Sequence, residues 1–113
     1  MTKSEVLSTI DQILLDLKAK FGSDGRAYIQ EILLDMYTSD TKKSNTVLYE
    51  TVARNHSGIT LDTVERQVRY CLAKIDYSTP LAQKLFNLKE GASKVTNKEG
   101  LHAMLYELKQ RLK

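Results

Sequence analysis

The chain holds one cysteine, two histidines and no long apolar run, and each scarcity removes a class of protein. Cys71 alone can form neither an internal disulfide nor a cysteine-based zinc site. With only His56 and His102 beside it, no structural metal centre and no cofactor are expected. The longest aliphatic runs are Ile13-Leu14-Leu15 and Ile32-Leu33-Leu34, far short of the roughly 20 residues that span a bilayer. Met1-Thr2-Lys3-Ser4-Glu5 is charged where a signal peptide needs an apolar stretch. A soluble, cytoplasmic protein without a membrane partner is expected. Enzyme signatures are missing too: no phosphate loop, no Gly-x-Ser-x-Gly elbow and no His-Glu-x-x-His. Gly22-Ser23-Asp24-Gly25 follows a helical pattern and lacks the lysine of a nucleotide loop, so it reads as a helix stop and the next start. Catalysis is not expected.

What is present suits one folded domain over residues 1–113. Apolar types make up 42% of the chain, a fraction that builds a core rather than a disordered tail. The net charge of +3 argues for little by itself. Its distribution says more. Residues 1–40 carry four basic and seven acidic side chains, whereas residues 41–113 carry thirteen and seven. A polyanion partner is therefore sought in the last two thirds.

The hydrophobic pattern is helical almost throughout and predicts an all-α, six-helix domain. Thr2 with Glu5 opens the first helix as a capping box, Val6, Ile10, Ile13, Leu14 and Leu17 follow, and Gly22 is the expected stop. A second, central helix runs from Arg26 to Tyr37, with a third at Val47–Ala53 that stops near His56-Ser57-Gly58. Thr60 caps a fourth from Leu61 to Ile75. Thr79-Pro80 starts a short fifth with Leu81, Leu85 and Phe86 inside. Lys89 to Lys94 reads as loop. Thr96 with Glu99 opens the last helix, its core face Leu101, Met104 or Leu105, Leu108 and Leu112.

Residues 46–76 have the grammar of a helix-turn-helix. Ala53 is small enough for a close crossing, Gly58 suits a tight turn, and a capped helix follows. At about 100° per residue, Leu61, Val64, Val68, Cys71, Leu72 and Ile75 face inward. Asp62, Thr63, Arg66, Tyr70 and Ala73 then point outward, with Glu65 and Arg69 on one flank. Arginine and glutamate are residue types that read base edges in the major groove. Asp62 with Arg66 and Glu65 with Arg69 also form i,i+4 pairs, each worth about 0.2–0.5 kcal/mol to any exposed helix. The same hairpin could therefore be a protein-interaction module that modulates another regulator. His56 reads as a solvated loop residue, Cys71 as core, and Tyr49 and Tyr106 as half-buried edges. No single-strand stacking surface is expected.

Val47-Leu48-Tyr49, Val52-Ala53 and Val64-Glu65-Arg66-Gln67-Val68-Arg69 resemble, in order, the Val-Leu-Tyr, Ile-Ala and Val-Glu-Arg-Ala-Ile-Arg of a known family. That family is the C-terminal effector domain of the stage-zero sporulation response regulators. Lys94-Val95-Thr96-Asn97-Lys98-Glu99 is similar to its Lys-Pro-Thr-Asn-Ser-Glu, and the likeness spans residues 8 to 112. The resemblance implies a sequence-specific regulator of transcription on double-stranded DNA, with recognition helix 60–75 in the major groove. It carries DNA contact onto Thr63, Glu65, Arg66, Arg69 and Tyr70. Thr60, Lys43, Lys94 and Lys98 are the phosphate-contact candidates, alongside Lys42. Pairing on tandem sites, contact with RNA polymerase and nucleoid association are implied as well. Thr63 stands for the family's arginine, Tyr70 for its histidine and Gly100 for a large apolar residue expected to leave packing unfilled. The turn before Thr60 is one residue longer. The family's receiver domain has no counterpart here. An excised domain and a stand-alone relative both remain open, the start at Met1 leaning to the second.

Overall fold

The structure is a computed structural model that describes residues 2–19, 23–39, 42–86 and 95–113. Six α-helices follow in chain order: α1 (Lys3–Asp16), α2 (Ser23–Thr38), α3 (Asn45–Asn55), α4 (Leu61–Ala73), α5 (Pro80–Phe86) and α6 (Asn97–Arg111). Among the described residues there is no strand, and the fold is all-α. The radius of gyration is 13.4 Å, the value of a folded chain of this length.

Side-chain caps set most of the helix starts. Hydroxyls of Thr2, Ser44, Thr60 and Thr96 accept from the backbone N–H three residues on, at 3.1 to 3.3 Å. Each satisfies one donor that a helix start leaves without a carbonyl. Thr79 does the same for α5, accepting from the Ala82 N–H at 3.2 Å while its own hydroxyl donates to the Asp76 carbonyl.

Helix α2 is central, packing against α1, α3, α4 and α6. Ile29, Ile32 and Leu33 are fully buried and Tyr28 nearly so, while Met36 and Tyr37 sit at the edge of the core. Gly25 lies in its first turn, and a Cβ there would stand 2.1 Å from the Cys71 sulfur of α4. This glycine permits a close approach of the two helices, and it lies inside α2 rather than at a boundary. Gly100 plays the same part where α6 meets α4. An added Cβ would lie 2.8 and 2.9 Å from the Leu72 methyls. The expected packing loss at Gly100 is corrected: Leu72 fills the space.

Helices α2 and α3 begin earlier than expected, at Ser23 and Asn45, and the C-terminal ends of α1 and α4 also differ. Helix α1 stops at Asp16 and Leu17 rather than running on to Gly22, which lies outside the described residues. Lys18 takes a left-handed φ of 49°. The Leu17 carbonyl accepts from the Asp76 N–H at 3.1 Å, a partner 59 positions away in sequence that substitutes for the next helical turn. Helix α4 ends at Ala73, not Ile75. There the Tyr77 hydroxyl donates to the Leu72 carbonyl at 2.6 Å, while Ile75 stays buried just beyond. On α5 the innermost residue is Ala82, with Leu81, Leu85 and Phe86 only partly covered. On α6, Met104 rather than Leu105 is the fully buried one. The expected Lys89–Lys94 loop lies outside the described residues.

Glu107 is the one buried carboxylate among the described residues, 5% exposed between Arg111 and Lys84. Burial pushes its carboxyl up, but hydrogen bonds and charge from Arg111 and Lys84 outweigh that and hold it below the ordinary range. Arg111 also reaches Asp16 at 2.9 Å, tying the end of α6 to the end of α1.

Candidate nucleic-acid interface

Helices α3 and α4 pack directly on each other across the turn 56–60. Gly58 adopts a φ of 82°, a left-handed conformation that disfavours any side chain. His56 ends α3 and is not the solvated loop residue expected. Its Nε2 meets Glu31 of α2, and its ring stands edge-on to Tyr28 with centroids 5.3 Å apart. Asn55 donates to the same carboxylate at 3.3 Å. The turn is thereby anchored to the central helix, which fixes where α4 begins.

Helix α4 buries Val64, Val68, Cys71 and Leu72, the face expected from periodicity. Burial pushes the Cys71 thiol up, so it stays neutral in the core. The opposite face exposes Asp62, Arg66, Arg69, Tyr70 and Ala73, with Thr63 and Glu65 half-buried beside them. Of the two expected i,i+4 pairs only one forms. Arg69 lies 3.6 Å from Glu65, whereas Arg66 makes no ion pair among the described residues. Tyr70, one turn on from Arg66, is 48% exposed. Thr63 is half occupied: its hydroxyl hydrogen-bonds to the capping hydroxyl of Thr60 at 3.1 Å.

Glu65 and Arg69 line a groove of about 630 Å³ between α3, α4 and the start of α6. Asn45, Tyr49, Tyr70 and Asn97 complete most of its wall. The Asn97 side chain donates to the Glu65 carbonyl at 3.1 Å, pinning the start of α6 to the middle of α4. Tyr49 is buried at 5% exposure rather than half-buried. Burial pushes its phenol up, against the pull of hydrogen bonds with Asn97 and Asn45. Tyr106, expected at the core edge, is 58% exposed.

The lysine candidates divide. Lys43 is paired with Asp35 at 2.8 Å, Lys98 is exposed, and Lys94 lies outside the described residues. Lys98 shares a trough of about 380 Å³ with Lys42, Lys43, Ser44, Asn45 and His102. A neighbouring trough of about 330 Å³ adds Lys109. Sequence reasoning missed His102 and Lys109, although a signal exists: positions 98, 102, 105 and 109 fall on one helical face.

Among the described residues no group of three His, Cys, Asp or Glu side chains is placed to hold a metal ion. None of the described helices is long and apolar enough to cross a membrane. Among the described residues the architecture is an all-α fold of six helices carrying an outward polar face on its fourth. Compared with known protein families, curated proteins and solved structures, the chain matches none.

Proposed function

We propose that the protein is a sequence-specific regulator that binds double-stranded DNA by seating α4 in the major groove. The observation that carries the reading is the outward stripe of α4: Arg66, unpaired among the described residues, with Tyr70 one turn on and Thr63 before it. An arginine not engaged within its own helix has all its donors left for guanine O6 and N7. Glu65 can accept from a cytosine amino group, and Arg69 can exchange that carboxylate for a phosphate or a second base. Helix α4 is held firmly enough for this task, capped at Thr60, anchored through the turn to α2 and pinned at Glu65 by Asn97. The resemblance to sporulation effector domains supports the same reading. Pairing on tandem sites, contact with RNA polymerase and a cytoplasmic, nucleoid-bound location belong to this proposal, and no catalytic step does.

Selection from random duplexes followed by binding titration is the test. An enriched motif is expected, and Arg66→Ala should then cost about 1–3 kcal/mol on that motif and relax preference at one base pair. Featureless selection would defeat the reading in favour of an interaction module.

A further inference from the structure

The two troughs beside α3 share Lys42, Lys43 and His102. The trough that holds Lys98 meets the α4 groove at Asn45, which lines both. One surface therefore runs from Arg69 and Tyr70 of α4, past Asn45, to Lys98 and Lys42, and on to His102 and Lys109 of α6. Among the described residues no carboxylate lines either trough. Lys42, Lys98 and Lys109 are exposed and make no ion pair among the described residues. Asp35 neutralises only Lys43.

From Lys98 to Lys109 the helix advances about 16 Å. That is close to the axial rise of five phosphates of one strand, at about 3.4 Å each. An acidic peptide could meet the cations, but nothing would join it to the reading face of α4. A duplex seated on α4 carries a continuous line of negative charge away from it. We infer that Lys42, Lys98, His102 and Lys109 form a second backbone contact, a cationic track along which one DNA strand runs beyond the segment read by α4. The inference rests on the functional reading above and extends it. Base preference resides in α4, while the track supplies affinity that depends on salt and not on sequence.

The test compares the full chain with the triple variant Lys42→Ala/Lys98→Ala/Lys109→Ala on the selected duplex and on a random one, from 50 to 200 mM salt. Three lost phosphate contacts flatten the logarithmic salt slope by about 0.9 each, so the parent should lose about 40-fold more affinity than the variant over that range. The selected motif should still be preferred, and the triple Lys→Arg variant should keep the parental slope. Should the triple alanine variant fold poorly by circular dichroism, Lys98→Gln and Lys109→Gln singly should each flatten the slope by about one contact. An unchanged slope in folded variants overturns the track. So does an unchanged slope accompanied by lost binding to polyglutamate, which would assign the surface to an acidic protein. A parent that binds random duplex through the track but selects no motif leaves the track standing and defeats the regulator. A parent that binds no duplex defeats both.

Discussion

At the scale of single residues, two contacts carry measurable consequences. Gly25 is required by the approach of α2 to Cys71, not by a turn. Gly25→Ala should therefore destabilise by about 1–3 kcal/mol through overpacking. Cys71→Ala in the same chain should recover part of that loss, because it removes the sulfur that the new methyl meets. Strict additivity of the two changes in denaturant unfolding would contradict this account. Glu107 is the second case. Its carboxyl is held below the ordinary range in the folded state, so its stabilisation is complete above the unfolded value, near 4.3, and fades as pH falls through the folded one. Glu107→Gln should cost about 1–3 kcal/mol at neutral pH, the worth of hydrogen bonds to charged partners. The difference between parent and variant should shrink in melts below about pH 4. Neither contact was legible in the sequence. Gly25 lay in what read as a helix junction, and Glu107 lay outside the core face read for the last helix.

At the scale of elements, the hairpin of α3 and α4 was the most legible part. A hydroxyl cap, a glycine and an apolar repeat act within a few residues of one another, so they work the same way in any fold. Thr60→Ala should cost about 0.5–2 kcal/mol in thermal or chemical unfolding, since it removes the acceptor of the Thr63 N–H. On the proposed function the same change should also weaken motif binding by loosening the start of α4, and binding at parental strength would show that the cap does not position that helix. Helix ends were less legible. No glycine marks Lys18, yet α1 closes there in a left-handed turn. The Lys18 and Ala19 N–H groups donate back to the Leu15 and Leu14 carbonyls, while the Leu17 carbonyl takes the Asp76 N–H. His56 likewise acquired its role from Glu31 and Tyr28, both on another helix.

For the whole molecule, charge is the quantity that the fold rearranges. An excess of acid in residues 1–40 and of base in residues 41–113 is visible along the chain. The fold spends some of these charges on one another, through Asp35 with Lys43, Asp16 with Arg111 and Glu107 with Lys84. It leaves Lys42, Lys98 and Lys109 together on one surface continuous with α4. On the proposed function, salt slope and base preference should separate: Arg66→Ala should alter preference and keep most of the slope, and loss of Lys42, Lys98 and Lys109 should do the reverse. The sequence by itself determined the all-helical class, the caps at Thr2, Thr60, Thr79 and Thr96 and the two faces of α4, because helical periodicity and capping are local forces. Only the tertiary structure decided which glycines admit a neighbouring helix, what His56 meets, and which cations stay unspent. Those outcomes depend on partners distant in the chain, whose distances and burial exist only once the helices have packed.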